Sequence, residues 1–110
     1  MMAGILELTD GTFADSVARG VVIVDFYGTW CPPCRLLEPV MEELATNFDG
    51  RVAVAGINID EHSEAAANNA IIDIPTVIVY RDGKEFSRLF GAQSYETLAG
   101  ELNRCLESVI

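Results

Sequence analysis

Two apolar rhythms alternate along this chain. Val21 to Tyr27, V-V-I-V-D-F-Y, is apolar almost without interruption, and so is Val52 to Ile59. Runs that barely alternate predict strands buried on both faces, as in a parallel sheet covered by helices. Between them Leu37, Val40, Met41, Leu44 and Phe48 recur at spacings of three and four. That spacing predicts an amphipathic helix from Cys34 to about Phe48. Pro39 falls inside it and should remove one hydrogen bond and bend the axis.

The flanking segments are shorter. Ile5 to Leu8 reads as a brief strand, and Thr9 or Asp10 can cap a helix over about Gly11 to Ala18, with Phe13 and Val17 on one face. Asp60 to Ala70 predicts a short alanine-rich helix. Val77 to Tyr80 and Glu85 to Phe90 are strands joined at Asp82-Gly83, the signature of a tight hairpin. Gly91 breaks the second strand. Ser94 begins a last helix whose apolar stripe is Leu98, Leu102, Cys105, Leu106 and Val109. The order β-α-β-α-β-α-β-β-α implies one α/β domain over residues 1–110, with a mixed sheet, parallel in part, and helices on both faces.

Composition narrows the function classes. A chain of 110 residues, half of them apolar, can bury a core without staples. A net charge of −10 opposes nucleic acid and anionic membrane surfaces as partners. No apolar run approaches the roughly 18 residues of a membrane span. Met1 to Glu7 has neither a basic nor a long apolar region typical of a secretory signal, so the cytosol is the expected location. Three cysteines are too few for a disulfide scaffold, and with His62 the single histidine they cannot complete an ordinary zinc site, so no metal is expected.

What remains is a redox pair. Cys31 and Cys34 enclose Pro32-Pro33 at the start of the predicted helix. Helix N-termini favour negative charge and lower a thiol's pKa. Cys31, at the edge, is therefore expected as attacking nucleophile, and Cys34, one turn further in and more buried, as resolving thiol. Both prolines suit first-turn positions, where a missing N–H costs a helix little. Asp25, in mid-strand between Val24 and Phe26, should have a raised pKa and could accept a proton during resolution; alternatively its side chain reaches solvent at a strand end. Trp30 precedes the pair in a turn, part-exposed and placed for substrate contact. Cys105 and His62 read as a small buried hydrophobe and a solvated surface residue, Phe26 and Phe90 as core, and Glu38, Glu42 and Glu43 as a solvated helix face.

The segment Val24-Asp25-Phe26-Tyr27-Gly28-Thr29-Trp30-Cys31-Pro32-Pro33-Cys34 resembles the active-site segment of the thioredoxin family. So do Pro39, Asn58-Ile59-Asp60, Ile74-Pro75-Thr76, Asp82-Gly83 and Gly91, at spacings that agree over nearly the whole chain. The resemblance implies a thioredoxin fold, a central mixed five-stranded sheet with four helices around it. It implies reduction of protein disulfides through a Cys31/Cys34 redox disulfide, with no bound cofactor and with electrons from NADPH through a thioredoxin reductase. It further implies a cis peptide bond at Pro75 and backbone groups of Ile74 offered to the substrate peptide. Read from its own neighbours, Pro75 is a strand-start proline, and Gly91 either leaves room for a peptide beside it or only ends a strand. The implied roles are electron transport and cell redox homeostasis, in a cytoplasmic monomer whose partners are disulfide-containing proteins and the reductase.

The chain also departs from that pattern. Pro32-Pro33 stands in place of the family's usual Gly-Pro insert, and Gly56 where a lysine commonly pairs with the buried acid. Tyr27 replaces a tryptophan, and Ile71-Ile72-Asp73 puts an added apolar residue and an acid beside the substrate groove. The departures bear on redox poise, so a thiol oxidase or isomerase, or a reductase of cytochrome maturation, is the alternative of the same fold. A non-catalytic binding module is the alternative from another class.

Overall fold

The computed structural model describes residues 4–108. Among them the elements run β1 (Ile5–Glu7), α1 (Phe13–Val17), β2 (Val21–Tyr27), α2 (Pro32–Asn47), β3 (Ala53–Asn58), α3 (Ser63–Asn68), β4 (Thr76–Arg81), β5 (Lys84–Phe90) and α4 (Tyr95–Glu107). The reading of Met1 to Ala3 as lacking a signal, and Val109 of the last apolar stripe, lie outside the described residues. The five strands form one sheet in the order β1-β3-β2-β4-β5. β1, β3 and β2 are parallel, whereas β4 and β5 run antiparallel to their neighbours. The sheet is mixed, as expected.

Strand alternation sorts the core into two layers. Val21 and Ile23 of β2, Val54 of β3 and Val77 and Val79 of β4 pack against Leu37, Met41 and Leu44 of α2 and Leu98, Leu102 and Cys105 of α4. Val22, Val24 and Phe26 point the other way, into a layer with Phe13 and Val17 of α1 and Ala65 of α3. Helices therefore cover both faces. Asp25, two residues beyond Ile23, belongs by the same alternation to the α2 face. Its register partner on β3 is Gly56, on that same face.

Local chemistry explains the boundaries. α2 begins at Pro32, two residues earlier than the apolar spacing predicts, because both prolines occupy its first two positions. Pro39 lies inside it, as predicted. The hairpin turn uses positive φ at Asp82 (50°) and Gly83 (84°), which suits the Asp-Gly pair. α4 is capped by Ser94, whose Oγ accepts the Thr97 amide at 3.1 Å.

Three expectations are corrected. Of the two caps expected for α1, Thr9 does accept the Thr12 amide through Oγ1 (3.2 Å) just before the helix, whereas Asp10 instead accepts the Ala65 amide (2.7 Å) at the start of α3. His62 is half-buried, not solvated, because its Nδ1 accepts the Asp10 amide at 3.3 Å. Phe90 is 59% exposed, not core, since it ends β5, the outer strand of the sheet. Phe26 is fully buried and Cys105 likewise, as expected.

Candidate active site

The end of β2 delivers the cysteine pair to the first turn of α2. Cys31 is the N-cap, extended at φ −145°, and is joined to Cys34 in a disulfide with Cα atoms 5.2 Å apart. The Cys34 amide donates to Cys31 O (3.0 Å) and to Cys31 Sγ (3.3 Å). Sulfur here takes the place that a serine or aspartate oxygen usually takes at an N-cap. Pro32 and Pro33 carry no N–H, so the Cys34 amide is the first donor of the turn, and it is aimed at the Cys31 sulfur. Exposure does not separate the two cysteines: Cys31 is 6% and Cys34 4% exposed. What distinguishes them is that only Cys31 receives this amide.

The loop before the pair is held from β3. The Thr29 amide donates to Asp60 Oδ2 (2.9 Å), Asn58 Nδ2 donates to Thr29 Oγ1 (3.2 Å), and the Asp60 amide donates to Asn58 Oδ1 (2.9 Å). Asn58 and Asp60 thus brace the loop, a role that no local pattern discloses. Trp30, beyond the brace, is 87% exposed, more open than expected.

The second wall comes from the loop into β4. Pro75 is buried, Ile74 half-buried, and the peptide between them is cis. The Gly91 amide donates to Pro75 O at 2.9 Å, tying the end of β5 to this loop, and Gly91 itself stands at φ 82°, which favours glycine. A methyl group built on Gly28 would meet Ile74 Cδ1 at 2.6 Å, so Ile74 packs directly on the loop that carries the cysteines. Ile72 is 89% exposed and Asp73 exposed, on the approach to Ile74.

Behind the cysteines lies Asp25, 6% exposed, with Oδ1 bonded to no described residue. Asp25 and Cys34 line the same cavity of about 830 Å³. Burial above all, then the charges of Glu38 and Glu7, pushes the Asp25 carboxyl up to about 7. Glu38 is an exposed helix-face residue, as expected, but its charge reaches Asp25 because α2 lies across β2. The Tyr27 hydroxyl donates to Glu7 Oε2, and burial together with that carboxylate pushes the phenol up. Glu7 and Tyr27 were not legible as site residues. The Tyr27 ring fills part of the room beside Gly56, where an added Cβ would meet Cε1 at 3.3 Å.

A disulfide at a helix N-terminus, a buried acid behind it and a cis-proline loop beside it define a dithiol-disulfide oxidoreductase. Comparison makes this particular. The thioredoxin family model matches residues 4–104. The chain is 39% identical over 102 residues to the thioredoxin of Staphylococcus saprophyticus, covering 93% of this chain and 98% of that one. The same figures hold for the thioredoxins of Staphylococcus haemolyticus and Staphylococcus aureus. The chain belongs to the thioredoxin family, and its activity is protein-disulfide reduction by thiol-disulfide exchange. Thioredoxins need no bound cofactor, and their reaction implies disulfide substrates and a thioredoxin reductase.

Proposed function

We propose that Cys31 is the nucleophile, Cys34 the resolving thiol and Asp25 the proton acceptor, in a domain spanning residues 1–110. The observation that carries this reading is the Cys34 amide donated to Cys31 Sγ, with Asp25 and Cys34 lining one cavity behind it. In the reduced protein that amide and the helix terminus favour a Cys31 thiolate. The thiolate attacks a substrate disulfide, a Cys31–substrate bond forms, and the first substrate thiolate leaves. Asp25, when ionised, takes the Cys34 proton. The Cys34 thiolate then attacks Cys31 Sγ, closing the Cys31–Cys34 disulfide and releasing the second substrate thiolate. Both electrons come from the dithiol.

The substrate chain lies across Trp30, the backbone of Ile74 and Pro75, and Gly91. NADPH returns electrons through a thioredoxin reductase, and the protein works as a monomer in the cytoplasm, in electron transport and cell redox homeostasis. Among the described residues no helix is long and apolar enough to cross a membrane. Incubation with insulin tests the assignment. Cys31→Ser should abolish reduction, and Cys34→Ser should accumulate a covalent adduct visible by mass. Full turnover by Cys34→Ser would refute the scheme. Turnover with thioredoxin reductase and NADPH tests the recycling step separately.

A further inference from the structure

The cavity behind the cysteines is larger than a proton acceptor needs. Its volume of about 830 Å³ falls in the range of small-molecule sites. Its walls are acidic: Glu7 from β1, Asp25 from β2, and Glu38 and Glu42 from α2, against Arg35 as the one base among the described lining residues. β3 contributes Gly56 beside Asp25, where an added Cβ would meet Tyr27 Cε1 at 3.3 Å and Glu7 Oε1 at 3.8 Å. Asp25 is buried, lines this space, and has one carboxylate oxygen with no hydrogen-bond partner in the described residues.

A buried acceptor without a donor is unfavourable, and a buried carboxylate without a counter-charge more so. An acidic cavity open to solvent at the α2 rim selects for a cation. Among the described residues no group of acids, histidines and cysteines is disposed to hold a metal, whereas acids spread along one cavity suit an organic cation with two separated charges. We propose that this cavity is a binding site for a linear aliphatic diamine, one ammonium bonded to Asp25 and the other toward Glu38 and Glu42. The proposal concerns binding to the oxidised protein and stands apart from the reductase reading.

The amine requires the ionised form of Asp25, so binding is linked to its titration. The titratable and charged groups that line the cavity with Asp25 are Glu7, Tyr27, Arg35, Glu38 and Glu42. With Asp25 half-ionised near pH 7, apparent affinity should rise about tenfold from pH 6 to pH 8. The test uses 1,4-diaminobutane and the full-length oxidised protein, with calorimetry at matched ionic strength and amide NMR. Binding should tighten about tenfold over that range, with shifts centred on the Tyr27, Cys34 and Gly56 amides. Asp25→Asn should lose that pH dependence and bind at least about tenfold more weakly at pH 8. Gly56→Met, which places a side chain beside Asp25, should bind weakly at both pH values. If Asp25→Asn binds as tightly as the parent at pH 8, the amine is only a counter-ion of an acidic surface and the site does not exist. Shifts spread over the acidic surface and absent from Gly56 would overturn it equally.

Discussion

Asp25→Asn should stabilise the fold, and by an amount set by pH. Asp25 is raised from 3.8 to about 7, mainly by burial. The folded protein therefore holds a proton that the unfolded chain releases over that interval. Favourable linkage is complete below the unfolded value near 4 and is lost as pH rises through about 7. A displacement of roughly three units, at about 1.4 kcal/mol each, makes ionised Asp25 a burden of about 4 kcal/mol above pH 8. Asparagine has nearly the same shape and no charge to bury. Any packing or hydrogen-bond penalty of the amide is present at every pH and cancels in the difference. Urea unfolding of the oxidised proteins should show the stability advantage of Asp25→Asn larger at pH 8 than at pH 4 by about 4 kcal/mol. Its slope between should be about 1.4 kcal/mol per pH unit. Because burial is the leading cause and the Glu38 and Glu7 charges follow, added salt should reduce the effect only slightly. An advantage equal at pH 4 and pH 8 would show that Asp25 titrates in the fold as it does in the unfolded chain, and the reasoning would fail.

Gly28→Ala places a methyl group against Ile74 Cδ1, the far end of a flexible side chain. Stability should fall by less than about 1 kcal/mol, while kcat/KM for insulin reduction drops several-fold through KM, because the substrate-facing loop is displaced; unchanged KM would separate Ile74 from substrate binding. Asp10→Ala removes the acceptor for the Ala65 amide and should cost about 1 kcal/mol in urea unfolding with insulin reduction unaltered. A loss no larger than that of an ordinary surface substitution would mean that α3 is not capped from β1's side.

Most of the architecture was legible because the strands are strongly apolar and the helices strongly periodic. β2 reads V-V-I-V-D-F-Y and is observed at the expected residues, Val21–Tyr27. The apolar spacing alone places the start of α2 two residues late, because prolines carry no apolar period; their fitness for first-turn positions supplies the observed start. Asp25, Cys31 and Cys34 were legible as chemistry, since a mid-strand acid and a cysteine pair are unusual in any apolar setting. Their supports were not. Asp10 meets α3 more than fifty residues away, and Asn58 and Asp60 reach Thr29 across the sheet edge. Such pairings follow from sheet order, which local pattern does not contain. Phe90 shows the opposite error: an apolar residue in a strand looks like core until the strand proves to be the outer one.

The position of Asp25 links these observations. An acid one position earlier, at residue 24, would instead face the layer of Phe13, Phe26 and Tyr80, away from Cys34. In the observed register Asp25 faces α2, lines the cavity that Cys34 lines, and sits opposite Gly56. The same burial that makes its charge unfavourable for the fold brings its proton affinity close to neutrality, where proton transfer to and from a thiol is most useful. If Asp25 carries the proposed proton transfer, stability and chemistry pull in opposite directions at this one carboxylate. The rest of the sheet tolerates the conflict because the two apolar layers extend over both faces, while the acid lies two residues before the end of β2, on the wall of the cavity. A substitution that relieves the conflict should strengthen the fold and slow resolution of the mixed disulfide together. A variant at Asp25 that gained stability at pH 8 and kept the parent's resolution rate would leave the stability argument standing and remove the acid from the proton-transfer step.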